Sequence, residues 1–310
     1  MLDILVALLT VSIVKSTPLI LGALCGIVCE RSGVVNIGIE GMMLGAAFAG
    51  FAAGVYSGSP MVGVGAAMAA GALLALLHAV LSVRFAVDQI ISGTAINILA
   101  VGLTGFLNRQ LFVSGAPAGA TVLPRLHLPL LSDLPVLGPL LFQHQPLTML
   151  AVLLVVAVHL AMYRTRWGLR TRAVGEHPLA ADTVGINVAR LRIQNVVIGG
   201  ALAGLAGAYF TLESVPHFEG TVTNGRGFIA LAAMIFGKWT PFGAWGAALL
   251  FGVTEALPVA LQIQGFAVPY QLVGMLPYVL TIVVVAGLVG RAAAPAAVGV
   301  PYLKGQKAGG

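Results

Sequence analysis

Of 310 residues, 59% are hydrophobic and only 8% charged, whereas soluble globular domains carry roughly 25% charged residues. With a mean hydropathy of +1.00, that balance excludes an ordinary soluble domain and places most of the chain in lipid. The net charge of +6 does not signal nucleic acid: basic residues sit at the ends of apolar runs and in one polar island, with no basic face carrying interleaved aromatics.

A membrane crossing needs about 20 apolar residues. Residues 2–14 predict a short apolar helix, interfacial or oblique, ended by Lys15 and Pro18, and a first full span follows at 18–30. The N-terminus has no basic n-region and no small-residue cleavage site, so no signal peptide is expected. Cys25 and Cys29, the only two cysteines, stand four apart in an apolar run and read as packing residues.

The stretch from Glu30 to Met43 joins two apolar runs and holds Gly33, Gly38 and Gly41, which break helical propensity. Irregular backbone at membrane depth is tolerated only against protein or a water-filled cavity, and broken helices commonly line transporter sites. Glu40 is the sharp residue there, because an acid at a helix centre costs about 2.5–3.5 kcal/mol on insertion scales. It either braces the break near the cytoplasmic interface or lines a solute pathway. Asn36 has the same two readings.

Further spans are predicted at 39–57, 60–83 and 88–112. The Gly-Ala run from Gly63 to Ala72 is a packing face, generic to bundles or specific to a dimer. In 88–112, Ser92, Asn97 and Thr104 drift along one face, which should look inward; Asn97 and Thr104 join Asn36 and Glu40 as candidate pathway residues. Residues 113–145 carry five prolines and one basic residue, Arg125, so they form an outer loop.

A span at 146–163 leads to a polar island from Arg164 to Arg192 that carries six of the 16 Lys and Arg. Short cytoplasmic loops retain excess Lys and Arg, so this loop is cytoplasmic. A span at 193–213 crosses outward. Residues 224–237, short enough to be re-entrant, and 241–262 form a pair joined by a tight turn at 238–241. A last span at 270–290 leaves 291–310 as a cytoplasmic tail. Nine crossings with the N-terminus outside, or ten with it inside, satisfy the charge bias. The fold class is an all-α polytopic transmembrane bundle of about nine or ten membrane segments, one domain over 1–290 with a broken helix.

No phosphate-binding G-x-x-x-x-G-K-[ST] loop occurs, so nucleotide hydrolysis is not expected of this chain. No metal-ligand spacing and no nucleophile elbow is present. No cofactor is expected, no catalytic residue stands out, and no proton relay can be assembled from the few intramembrane acids. The chain reads as a conduit rather than an enzyme.

Three segments carry a likeness to a known family: ERSGVVNIGIEGMML at 30–44, RAVGEHPLAADTVGI at 172–186 and GRGFIALAAMIFGKWTPFGA at 225–244. Together they resemble permease subunits of ATP-driven importers in the branched-chain amino acid, ribose and nucleoside superfamily, nearest the nucleoside branch. The resemblance implies a plasma-membrane subunit that pairs with a second permease as homo- or heterodimer. It also implies cytoplasmic ATP-binding subunits and an extracytoplasmic substrate-binding protein as partners.

It further implies that Arg172, Ala173, Val174, Gly175, Glu176, His177, Pro178, Ala180 and Ala181 couple to the ATPase, with His177 where relatives frequently carry Asn. Physical chemistry is compatible with that role. Gly175 permits close backbone approach, Pro178 suits a first helical turn, Glu176 precedes a positive helix end, and Ala180 with Ala181 offer a small surface. The rivals are an ion-coupled secondary transporter of a small polar solute and a purely structural membrane protein.

Overall fold

The computed structural model describes residues 2–112, 122–126, 129, 132–134, 138–263, 275, 276, 279, 282 and 293–303. Among them every regular element is helical: α1 (Leu2–Glu30), α2 (Ile39–Ser57), α3 (Pro60–Ala79), α4 (Gln89–Leu111), α5 (Pro146–Arg164), α6 (Arg166–Glu176), α7 (Pro178–Thr183), α8 (Val188–Tyr209), α9 (Arg226–Phe236) and α10 (Pro241–Ile263). Single π-helical turns extend α3 to Arg84 and α8 to Ser214, and another covers Gly138–Phe142. Six helices, α1 to α5 and α8, are long and apolar enough to cross a membrane; α9 and α10 contribute shorter apolar stretches. The all-α polytopic bundle is as expected, and the spans fall within a few residues of their expected limits. The expected outer loop at 113–145 is described only in part, and the span at 270–290 lies outside the described residues except at isolated positions.

One expectation is corrected. Lys15 and Pro18 do not end a helix: α1 runs unbroken from Leu2 to Glu30. Proline has no N–H to give the carbonyl four residues back, which ordinarily kinks or ends a helix. Here the orphaned Val14 carbonyl accepts instead from the Tyr209 hydroxyl of α8 at 2.8 Å. Residues 2–30 are therefore one element rather than a short helix followed by a separate span.

The centre of the bundle is built from small residues. Gly63, Ala67, Gly71 and Ala75 are the buried stripe of α3. A Cβ added at Gly71 would collide with the Gly200 carbonyl, and one at Gly204 would meet Ala67 and Met68. This stripe, a candidate dimer face in the sequence, is thus spent inside the chain, where close backbone approach gives van der Waals contact in the absence of a hydrophobic driving force. Cys25 and Cys29 are buried free thiols in the same core.

Helix α9 explains why residues 224–237 look too short to span. It packs parallel to α1, with Ala230 against Gly22 and Met234 against Gly26. Its eleven residues cover about 16 Å of a core about 30 Å thick. The irregular segment 215–225 completes the descent from the end of α8. At the inner end, the Trp239 indole donates to the Glu30 carboxylate at 2.6 Å and the Arg31 guanidinium donates to the Trp239 carbonyl at 2.9 Å. Lys238 and Trp239 take positive φ in this tight turn before Pro241 opens α10.

Candidate functional site

The broken segment between α1 and α2 must place its backbone polar groups without water or a helical ladder. Side chains from two other helices do this. Val35 N–H donates to the Gln89 side-chain oxygen at 2.7 Å, and the Val35 carbonyl lies 2.9 Å from His78 Nε2. His78 Nδ1 in turn meets the Ser92 hydroxyl at 3.0 Å. Asn97 of α4 bridges the break itself: its amide donates to the Ile37 carbonyl at 3.1 Å, and its Oδ1 accepts from Gly41 N–H at 2.8 Å.

Gly38 at the start of α2 supplies no capping side chain, so Asn97 caps α2 from across the bundle. Two more helix starts are capped from outside their own segments. The Glu40 carboxylate accepts from Gly225 N–H at 2.9 Å and Gly227 N–H at 2.6 Å, closing the start of α9. The Glu213 carboxylate accepts from Leu147 N–H at 2.7 Å and Thr148 N–H at 3.1 Å, closing α5. An anion belongs at each place because a helix N-terminus carries unpaired donors and partial positive charge. Glu213 therefore lies buried against the start of α5.

Where α2, α4 and α9 meet, a cavity of about 440 Å³ opens, lined by Glu40, Asn97, Thr221, Thr223, Asn224 and Phe228 among others. Thr221 and Asn224 of this lining are exposed. Polar side chains facing outward at membrane depth require water or protein, not acyl chains. A second cavity of about 320 Å³, nearer the outer ends of α2 and α4, is lined by Phe51, Asn108, Phe112, His217, Phe218 and Glu219. Gly220 borders both.

The polar island folds into α6 and α7, which meet at His177. Thr165 caps α6 through Gly168 N–H at 3.2 Å. Val174 and Ala181 pack inward with Val188 and Leu191, whereas Glu176, His177, Leu179, Ala180 and Val184 are exposed. Gly175 is buried against the end of α1, where any Cβ would strike the Arg31 carbonyl. Glu176 does not cap α7: its carboxylate accepts from Ala296 N–H at 3.1 Å, in the C-terminal tail.

The expected residues thus divide. Glu40 and Asn97 line the cavity while joining helices. Asn36 is fully buried, its amide 3.5–3.6 Å from the sulfurs of Cys25, Cys29 and Met42. Thr104 is buried and donates to the Ala100 carbonyl of its own helix at 2.7 Å. The face carrying Ser92, Asn97 and Thr104 does look inward. Arg172 lies over the Tyr163 ring, 5.0 Å from its centroid, and Ala173 and Pro178 are half-buried. Sequence reasoning missed His78 and Gln89; their signal was a polar residue near a helix end facing a glycine-rich break. Glu255 of α10 meets Arg226 at the start of α9, carboxylate to guanidinium, at 3.1 Å.

Comparison with known proteins agrees with this architecture. The family model described as "Branched-chain amino acid transport system / permease component" matches residues 8–297. The guanosine ABC transporter permease protein NupQ of Bacillus subtilis (strain 168) is 42% identical, over 98% of this chain and 99% of its own. The nucleoside ABC transporter permease protein NupC of Lactococcus lactis subsp. cremoris is 40% identical over 94% and 95%. The putative glucose ABC transporter permease protein TsgC13 of Haloferax volcanii is 37% identical over 82% and 78%. No solved structure gives a significant match. With a match over nearly its whole length and a polytopic helical bundle to house it, the chain belongs to the branched-chain amino acid transport system permease family, as a multi-pass transport subunit of an ATP-driven importer whose ATPase resides in a separate subunit.

Proposed function

We propose that this permease carries a nucleoside-like solute through the cavity between α2, α4 and α9, by alternating access driven from the cytoplasmic unit α6–α7. The observation that carries the reading is the polar part of the cavity lining, Glu40, Asn97, Thr221, Thr223 and Asn224, of which Thr221 and Asn224 are exposed. These groups suit a neutral, hydrogen-bonding solute. The exposed Phe228 ring adds an apolar face of the kind a planar base stacks on. The most similar relatives named above carry guanosine or nucleoside in their names; a sugar is the alternative that the glucose relative keeps open.

The exposed surface of α6–α7 supplies the docking face for an ATP-binding subunit. It presents Leu169, Leu179 and Val184 at 61%, 38% and 75% exposure beside Glu176, His177 and Ala180. Large apolar side chains exposed on this helix pair are groups that a partner subunit would cover. Arg172, Ala173, Val174, Gly175, Pro178 and Ala181 hold that face on the membrane bundle. A second permease chain, identical or paralogous, closes the cavity side, and an extracytoplasmic binding protein delivers solute to the outer mouth.

The test is uptake of labelled guanosine into proteoliposomes holding the permease, its ATPase and its binding protein. Uptake that requires internal ATP and stops when the ATPase is omitted is the expected result. Uptake on an ion gradient without ATP would sink the proposal in favour of a secondary transporter, and competition by glucose but not by inosine would move the substrate to a sugar.

A further inference from the structure

The tail after the last span is not a solvated appendage. Ala297 is 6% exposed and its N–H donates to the Gly175 carbonyl at 2.9 Å, while Ala296 N–H donates to the Glu176 carboxylate at 3.1 Å. Two residues on, Gly299 N–H donates to the Gly33 carbonyl at 3.3 Å. Arg192 completes the arrangement. Its guanidinium donates to the Ser32 carbonyl at 3.0 Å and to the Val300 carbonyl at 2.9 Å, and the residue is only 1% exposed. Among the described residues no acid pairs with it: two backbone carbonyls accept from this buried guanidinium, and its Nη2 has no hydrogen-bond partner.

Gly33 sits at the centre of these contacts. It takes φ +91°, a conformation that L side chains rarely adopt, and a Cβ there would press on the Arg192 guanidinium and the Ala297 carbonyl. It is also the first glycine of the break that leads through Val34–Gly38 to Glu40 and Gly41 at the cavity. Three segments distant in sequence, at 31–33, 175–176 and 296–300, are therefore fastened together around one arginine. A buried charge with no acid beside it is costly to desolvate, and the carbonyl contacts offset that cost only while these segments stay together.

We propose that the tail and Arg192 form a clasp that transmits movement of the α6–α7 unit to the Gly33 hinge, and through it to the cavity wall at the start of α2. Arg192 is a positioning residue, since it touches no solute. The proposal rests on the reading of α6–α7 as the ATPase-docking unit. It assigns the tail a task that a mere docking face does not need: without the clasp, α6–α7 can still bind the ATPase, but its motion no longer reaches Glu40 and Gly41. The coupling energy between two sites is typically worth a 5–150-fold change, so losing the link should be plainly measurable.

The experiment uses the full complex in proteoliposomes with two variants, Arg192→Lys and a chain ending after Ala294. For each, ATPase copurification, ATP hydrolysis and solute moved per ATP are recorded. Hydrogen exchange of residues 33–38 is followed with and without a non-hydrolysable ATP analogue. The expected outcome is retained copurification and hydrolysis, a fall of roughly tenfold or more in solute per ATP, and loss of the ATP-dependent change in exchange at 33–38. The lysine variant, which keeps a charge but not the two-carbonyl fork, should lie between wild type and truncation. Unchanged solute per ATP in the truncated complex overturns the clasp. Loss of ATPase copurification also overturns it, because the tail would then serve docking. Absence of ATP-driven uptake by the wild-type complex overturns the importer reading itself, and the two failures are distinct.

Discussion

The Glu40 carboxylate accepts from the Gly227 N–H at 2.6 Å, joining the start of α2 to the start of α9 across 187 positions of sequence. One acid thereby satisfies donors that lipid cannot, and stands at the cavity edge while doing so. Glu40→Gln keeps one acceptor oxygen but removes the charge that complements the α9 terminus. We expect a loss of roughly 1.5–3 kcal/mol, the range for hydrogen bonds to charged groups, read as a lower midpoint of thermal unfolding in detergent, together with reduced uptake. Gly227→Ala breaks the same joint from the other side, because a Cβ there would press on the Glu40 backbone. The double variant should then cost less than the sum of the two single ones; strict additivity would show that the two residues do not act as one joint.

Tyr209 and Pro18 form a second joint with its own internal control. Tyr209→Phe leaves the Val14 carbonyl without a donor, because Pro18 has none to give. The expected cost is about 0.5–1.5 kcal/mol, seen as easier unfolding in detergent. Pro18→Ala restores an N–H four residues from Val14, so it should rescue Tyr209→Phe while doing little alone. Failure of that rescue would mean the tyrosine matters for packing rather than for the carbonyl.

Much of this was legible in the sequence, because apolar length and Arg distribution are local signals. The spans and the inward face of Ser92, Asn97 and Thr104 follow from them. Glu40 was visible as an anomaly, but its partner was not: a cap supplied from a distant helix leaves no spacing rule to read. The same holds for Gln89, His78 and the tail, whose small residues look like an unstructured end until Ala297 meets Gly175. Pro18 misled for the converse reason. Its local effect is to break a helix, and a hydroxyl on α8 cancels it.

The exposed apolar residues of α7 separate docking from transmission. Val184→Asp and Leu179→Asp change side chains that are 75% and 38% exposed and stand outside the buried cluster of Val174, Ala181, Val188 and Leu191. They should leave permease yield and thermal stability nearly unchanged, since surface substitutions usually stay within about 0.5 kcal/mol, while ATPase copurification falls. Gly175→Ala should behave differently, lowering permease stability itself, because the Arg31 carbonyl occupies the space a methyl would need. Equal losses of ATPase binding without any loss of stability in all three variants would contradict this division.

Arg226 and Glu255 test how charge is tolerated between α9 and α10. Their side chains meet at 3.1 Å with exposures of 24% and 15%, and the guanidinium also lies 5.6 Å from the Phe210 ring centroid. Neither ion is fully dry, so the pair gains less than a sealed one and costs less to desolvate. Removing one partner is a different matter. Glu255→Gln leaves the arginine at membrane depth with an aromatic face and one neutral acceptor, and should reduce the yield of folded permease more than Arg226→Met/Glu255→Met does. That ordering follows from the asymmetry between deleting a charge pair and splitting one, and size-exclusion recovery of the two variants measures it directly. If the double substitution proves the more damaging, the pair matters for the solute path or for register rather than for charge balance, and uptake by the recovered protein separates those two roles.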